Sequence, residues 1–224
     1  MPKIIFMEVI FESFEQLLNP EWIMKNGGLY LVIAILFIET AAFFGFFLPG
    51  DPLLFVAGML IAVANHAFPF QNEMMNLGFW MLLFIAATAL GYCVGYWVGK
   101  KFGYTLQNKK DNWLFKKKHI ESAQEFYKKK GGFAVAISRF LPIVRTFVPL
   151  IGGMVKMDFR KFSFYNMLGA VIWVVGVTSL GFVLGENPWV KANLELIIIA
   201  LVVVVTAPVI FKMVFGKKKT TSVS

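Results

Sequence analysis

The sequence predicts an all-α integral membrane protein built from two inverted copies of one unit. The chain of 224 residues is 58% hydrophobic and only 16% charged, whereas charged residues approach a quarter of a typical soluble domain. Its apolar runs alternate with lysine-rich blocks, as membrane spans alternate with cytoplasmic flanks. A Phe-Leu-Pro break also recurs inside apolar sequence, at residues 47–49 and 140–142. These three observations together indicate a repeated membrane unit.

Three apolar stretches are predicted to be transmembrane helices. Residues 77–99 contain no charge and carry Trp80 and Trp97 near their two ends, where interfacial aromatic residues belong. Residues 162–185 form a second uncharged run, and a C-terminal transmembrane helix is expected at 191–215. Because a hydrocarbon core of about 30 Å needs about 20 helical residues, the first two runs are long enough to span it.

The first repeat begins with a broken run, residues 29–64, that is predicted to form a re-entrant hairpin. The sequence Pro-Gly-Asp-Pro at 49–52 separates its two arms. We expect a helix to start there, with Asp51 as its N-cap and Pro52 at its first position. That second arm, about 53–64, is only about 18 Å long and cannot span. The sequence leaves open whether the first arm, 29–48, re-enters or spans.

The second repeat has the same order of parts in a shorter form. Its hairpin, residues 133–157, is interrupted by Pro142 and Pro149, and neither arm is long enough to cross the bilayer. The stretch Thr-x-Leu-Gly-x-x-x-Gly occurs at 88–95 and again at 178–185. Its glycines are expected to allow close helix packing.

Lysine distribution predicts that the two repeats are antiparallel. Residues 100–130 contain ten lysines against three acidic residues, which is typical of a cytoplasmic amphipathic segment on anionic headgroups. The loops at 65–76 and 186–190 carry acids and no lysine, so they are expected outside. The two long spans then run in opposite directions. The hairpins would dip in from opposite faces, and their Phe-Leu-Pro tips would meet near the midplane.

The two ends of the chain complete the predicted organisation. The first residues carry three glutamates at helical spacing, which interrupts any apolar signal core and favours an interfacial amphipathic helix. The C-terminus is expected in the cytoplasm and the N-terminus in the periplasm. The predicted segments are 1–28 (interfacial helix), 29–99 (repeat 1), 100–130 (basic segment), 131–185 (repeat 2), 191–215 (C-terminal helix) and 216–224 (basic tail).

Four charged residues within apolar runs form the predicted site. Glu39 and Asp51 belong to the first hairpin, and Arg139 and Arg145 to the second. Charge at membrane depth is costly and usually functional, and secondary transporters bind substrates between the broken helices of inverted repeats. Guanidinium groups suit phosphate, so the arginines are predicted to bind an anion while the acids balance charge or carry a proton. The simpler alternative is that all four charges only pin the hairpins together.

Backbone at the hairpin tips is predicted to line the same site, at Pro49, Gly50 and Pro142. No catalytic residue, metal site or cofactor is expected, because His66 and His119 have no ligand partners at metal spacing. The single cysteine, Cys93, excludes an intrachain disulfide. The net charge of +9 lies in blocks beside the spans, so nucleic acid is not an expected partner.

The motifs around these charges resemble the DedA family of bacterial membrane proteins. They are Glu39 followed by Phe-x-x-Pro-Gly-Asp51, and Ser-Arg139-Phe-x-Pro-x-x-Arg145-Thr, and the resemblance covers residues 27–185. It implies two opposed re-entrant hairpins, a fold shared with eukaryotic VTT-domain lipid scramblases, in the bacterial inner membrane. It also implies lipid movement between leaflets, with an essential acidic pair, an essential arginine pair and suspected proton coupling.

The expected function is therefore lipid transport rather than catalysis. Undecaprenyl phosphate recycling to the cytoplasmic face is the preferred interpretation, with membrane lipids and protons as partners and a homo-oligomer left open. A phosphatidylethanolamine scramblase or flippase is the first alternative, and a proton-coupled ion or drug antiporter the second. A lipid phosphatase would need a nucleophile or histidine near the hairpins. An envelope scaffold would need no charged cavity.

Overall fold

The computed structural model describes residues 22–23, 27–41, 50–63, 69–107, 131–140, 142–193, 196–197 and 200. Regular secondary structure in these ranges is helical throughout. The helices are α1 (Leu29–Ala41), α2 (Gly50–Val63), α3 (Glu73–Gln107), α4 (Phe133–Ser138), α5 (Pro142–Met154), α6 (Phe159–Gly185) and α7 (Pro188–Ala192).

Several predicted features fall largely outside the described residues. They are the interfacial helix at 1–28, the basic segment at 100–130, the C-terminal helix at 191–215, the tail at 216–224, the hairpin-tip residue Pro49, and both histidines.

Among the described residues, two helices are long and apolar enough to cross a membrane, and they contain the two internal spans that the sequence predicts. They are Glu73–Lys101 within α3, with a mean hydropathy of 2.0, and Phe159–Gly185, with a mean hydropathy of 2.2. Both begin three or four residues earlier than predicted, because side-chain caps precede the apolar runs. Asn72 accepts from the Met74 amide at 2.9 Å, and Asp158 accepts from the Arg160 amide at 2.8 Å.

The remaining helices are shorter than the hydrocarbon core is thick. At 1.5 Å per residue, α1, α2 and α5 are each about 20 Å long, and α4 is about 9 Å long. The expectation that Asp51 caps α2 is wrong, because the helix already begins at Gly50 and Asp51 lies in its first turn. The carboxylate of Asp51 accepts side-chain hydrogen bonds instead, as described below. A re-entrant course of the hairpins stays a prediction.

The hairpins cross over between the two long helices. The first arms, α1 and α4, pack mainly on the long helix of their own repeat, which is α3 and α6 respectively. The second arms do the opposite: α2 packs mainly on α6, and α5 on α3. These shorter helices are therefore held by α3 and α6, and Glu39, Asp51 and Arg145 lie on them.

Glycines make the crossed contacts possible. A Cβ at Gly181 of α6 would overlap the Phe55 carbonyl of α2, and a Cβ at Gly99 of α3 would overlap the Leu150 carbonyl of α5. Small residues at such crossings let helix backbones approach in membranes. Apolar side chains fill the rest of the interior; the largest cluster includes Val32, Leu36, Leu53, Val56, Trp80, Phe84 and Val174.

We expect Gly181→Ala to destabilise the fold by about 1–3 kcal/mol, the usual cost of overpacking a close contact. The added methyl must displace the Phe55 backbone. Gly176→Ala on the same helix is the matched control, because a Cβ there has no atom within 4 Å among the described residues. Thermal melting of the two purified variants in detergent would compare them. Equal melting temperatures would contradict the crossed packing of α2 on α6.

Candidate functional site

Arg145 lies at the centre of the site, one turn into α5. Its Nη1 donates to both oxygens of the Asp51 carboxylate at 2.6 Å. Its Nη2 donates to the Glu39 carboxylate. One guanidinium from the second hairpin therefore joins two acids from the two arms of the first hairpin. The structure brings three of the four predicted charges together.

This cluster is largely shielded. Glu39 is 4% exposed, and the Arg145 side chain is 16% exposed. Buried ion pairs contribute little net stability because desolvation offsets their attraction, yet removing one partner leaves a costly unpaired charge. Removal of any one of the three side chains is therefore expected to destabilise the cluster. An anion that binds the Nη1 or Nη2 edge of Arg145 competes with the carboxylate oxygens bound there.

Gly50 leaves room for the Glu39 carboxylate because it has no side chain. The Oε2 atom of Glu39 lies where a Cβ on Gly50 would be, so only glycine fits between this carboxylate and the backbone of α2. Gly50, which was predicted as backbone at the hairpin tip, is the first residue of α2 and contacts Glu39. Pro142, the other described tip residue, is the first residue of α5.

Trp173 of α6 is a site residue that the sequence reasoning missed. Its Nε1 donates to Asp51 Oδ1 at 2.8 Å. Its ring packs edge-on against Phe140, with centroids 5.4 Å apart. Tryptophan in membrane helices concentrates at the interfaces, whereas Trp173 lies near the middle of the Phe159–Gly185 helix. That unusual position is the signal that identifies it.

Arg139 lies apart from the ion-paired cluster. Its Nη2 donates to Asn166 Oδ1 at 2.6 Å and reaches the Thr88 carbonyl at 3.4 Å. Its guanidinium carbon is 4.1 Å from the centroid of the Tyr92 ring, a cation–π contact. Arg139 is 4% exposed. The hydrogen bonds of the described residues therefore join the two acids to Arg145 and join Arg139 to Asn166.

Asn166 is the second residue that the sequence reasoning missed. It accepts from Arg139 and donates through Nδ2 to the Ala89 carbonyl at 3.0 Å. Arg139 Nε has no hydrogen-bond partner among the described residues. A buried guanidinium with a neutral partner and one free N–H retains both charge and a donor for an additional acceptor. An amide side chain within the uncharged run of α6 is the signal for Asn166.

We expect Trp173→Phe to lower the free energy of unfolding by about 1.5–3 kcal/mol, the range for a hydrogen bond to a charged group. Phenylalanine keeps an aromatic ring beside Phe140 and removes only the donor to Asp51. The exposed Trp189→Phe is the matched control. Denaturant unfolding in detergent would measure both variants. If Trp173→Phe still destabilises in an Asp51→Asn background by the full amount, the effect does not come from this hydrogen bond.

No group of three or more His, Cys, Asp or Glu side chains suited to a metal ion occurs in the part of the chain that the structure describes. Cys93 is a free thiol there.

Fold and site together define an α-helical membrane protein with a buried charge cluster. The family model for the VTT domain matches residues 48–183. Protein DedA of Escherichia coli K12 is 35% identical over 188 residues, covering 84% of this chain and 83% of the relative. Inner membrane protein YqjA of the same organism is 36% identical over 180 residues, covering 79% and 76%. The chain belongs to the DedA family of VTT-domain membrane proteins.

A third relative is an uncharacterized membrane protein of Mycobacterium tuberculosis. It is 34% identical over 208 residues, covering 90% of this chain and 88% of the relative. No solved structure matches the chain. The predicted family resemblance is thus confirmed, and two of these three relatives are named as membrane proteins, one of them an inner membrane protein.

Proposed function

We propose that this protein moves lipids with an anionic phosphate headgroup between the leaflets of the bacterial inner membrane. One observation carries the proposal: Arg145 binds two carboxylates from the other hairpin inside the membrane domain. Carboxylate and phosphate present similar oxygen pairs to a guanidinium. A phosphate headgroup can therefore exchange with the carboxylates, and such exchange changes how the two hairpins are held together.

Arg139 is proposed as a second phosphate contact. It is charged, buried and bound to the neutral Asn166, and its Nε keeps a free donor among the described residues. Glu39 and Asp51 are proposed to balance charge and to carry a proton when the phosphate occupies the arginines. Pro49, Gly50 and Pro142 are proposed to shape the backbone around the headgroup.

Transport is proposed to proceed by alternate opening of two re-entrant hairpins in an inverted repeat. The packing supports this, since each first arm lies on its own long helix and each second arm on the other. Two symmetrically placed hairpins can then expose one site to either side in turn. In this proposal the C-terminus is cytoplasmic and the N-terminus periplasmic, as the lysine distribution predicts.

Undecaprenyl phosphate is the proposed substrate. Its phosphomonoester offers several oxygens to Arg145 and Arg139, while its polyprenyl tail stays in lipid beside α3 and α6. Those helices present apolar side chains to their surroundings, among them Leu82, Leu90, Leu180 and Val183. The second candidate is phosphatidylethanolamine, which is favoured by the pairing of two carboxylates with one guanidinium. Its ammonium group would bind an acid that its phosphate releases from Arg145.

Reconstitution would test the proposal directly. Proteoliposomes containing the full-length protein would be assayed for translocation of polyprenyl phosphate, phosphatidylethanolamine and phosphatidylglycerol, with and without a pH gradient. We expect polyprenyl phosphate to move fastest and to respond to the gradient. Gly176→Ala protein serves as a matched preparation control, because a Cβ there meets no described atom.

Other outcomes would favour other functions. Cation flux without lipid movement would favour an antiporter, and appearance of the dephosphorylated lipid would favour a phosphatase. Equal translocation in protein-free liposomes would contradict lipid transport altogether.

A further inference from the structure

We infer that the transported anion binds where the Glu39 carboxylate now lies, on Arg145 and beside Gly50, and that Asp51 keeps its position during the exchange. The identity of the anion as a phosphate headgroup rests on the proposed function. The location of the subsite rests on the contacts of Glu39, Asp51 and Trp173. These contacts divide the roles of the two acids.

The two carboxylates are held unequally. Asp51 accepts from Arg145 through both oxygens and also from Trp173 Nε1 at 2.8 Å. Glu39 accepts from Arg145 alone among the described residues. When another anion takes the Arg145 donors, Asp51 keeps the indole N–H, whereas Glu39 keeps no donor. A buried carboxylate without a donor is the less stable of the two, so Glu39 is the acid that is displaced.

The backbone leaves room for the oxygen of an incoming anion in the same place. Glu39 Oε2 occupies the position that a Cβ on Gly50 would take. Departure of Glu39 therefore opens a space beside Gly50 that already fits one acidic oxygen, next to the Nη2 donor of Arg145. A headgroup phosphate that enters there meets the donor that the carboxylate has left.

Charge balance determines what happens to Glu39. The ionisable groups within electrostatic reach of Glu39 are Arg145, Asp51, Arg139 and Tyr92. With Glu39 and Asp51 ionised and Tyr92 neutral, the two acids and two arginines sum to zero. A phosphate monoanion preserves that sum only if one acid becomes neutral, and the displaced Glu39 is the acid that takes up the proton. The proton returns to water when the phosphate leaves. The exchange is thus one proton for each monoanion.

The test measures binding and proton uptake together. Full-length protein in phosphatidylcholine nanodiscs is titrated with farnesyl monophosphate or with inorganic phosphate in weakly buffered solution containing a pH indicator. The matched pair is Glu39→Gln and Asp51→Asn. We expect wild-type protein to take up protons on binding and Glu39→Gln to lose this uptake. Asp51→Asn already carries the extra positive charge that balances a monoanion, so its uptake is expected to fall as well. Uptake that survives Glu39→Gln is the result that counts against the inference.

Affinity provides a second readout. Removal of an internal competitor by Glu39→Ala is expected to tighten farnesyl monophosphate binding about tenfold, a change of about 1.4 kcal/mol. Gly50→Ala is expected to abolish binding because its methyl group fills the subsite. If that variant misfolds through its clash with Glu39, the double variant Gly50→Ala/Glu39→Ala removes the clash. It should fold and should lack the tenfold gain.

Each outcome decides between alternatives. Proton uptake that survives Glu39→Gln overturns the inference, as does Glu39→Ala binding that is as weak as Arg145→Ala binding. If wild-type protein translocates lipid and either of these two results is obtained, the proposed function holds and the Glu39 subsite is wrong. Glu39-dependent uptake without translocation would support the subsite and refute the transport proposal. Equal binding of inorganic phosphate would support the subsite with free phosphate as its ligand.

Discussion

Replacing Arg145 by alanine is expected to destabilise the protein by about 3–5 kcal/mol, the usual cost of removing one member of a buried ion pair, and to abolish translocation. The variant leaves the carboxylates of Glu39 and Asp51 buried with their shared cation removed. Because the variant also lacks the guanidinium that is proposed to bind phosphate, transport is lost independently of this instability. Denaturant unfolding in detergent and the proteoliposome assay would measure the two effects separately.

A neutral triple variant separates stability from function. Glu39→Gln, Asp51→Asn and Arg145→Gln together remove all three charges while keeping polar groups of similar size. We expect it to be more stable than Arg145→Ala, because neither acid is left as an unpaired buried carboxylate, although Arg139 loses the two acids that balance its charge. Translocation should stay absent. A triple variant that transports at the wild-type rate would show that these charges only pin the hairpins together.

The spans and the charged residues of the site were predictable from sequence because they depend on local properties. An uncharged run of more than twenty residues identifies α3 and α6, and the lysine blocks mark their flanks. The breaks at Pro49 and Pro142 predicted two interrupted hairpins, and α2 and α5 begin within one residue of these positions. The start of α2 was misjudged because a favourable N-cap residue was assumed to act as one.

The pairing within the site was not predictable, because it depends on which helices cross. Sequence placed Arg139 and Arg145 in one hairpin and suggested that they act together. In the structure the crossing of α5 over α3 brings Arg145 to the acids. Arg139 instead ends α4 and turns toward Asn166 of α6. Local sequence carries no information about this division.

The second large effect concerns Arg139, and it differs in kind from the first. Arg139→Met is expected to reduce translocation about 10- to 100-fold, which corresponds to the loss of one charge-assisted contact to phosphate of about 1.5–3 kcal/mol. Its effect on stability should be smaller than that of Arg145→Ala. The Asn166 oxygen loses its donor, at a cost of about 1–3 kcal/mol, and the Thr88 carbonyl and the Tyr92 ring lose weaker contacts.

The double variant Arg139→Met/Asn166→Leu makes the distinction measurable. Replacing both members of a buried hydrogen bond by apolar groups of similar shape is nearly neutral, so we expect its unfolding free energy to approach that of wild type. Transport should stay as low as in Arg139→Met alone, since the cation is still missing. A double variant that regains both stability and translocation would mean that Arg139 only anchors α4 to α6. Restored stability without transport would support Arg139 as a phosphate-binding residue.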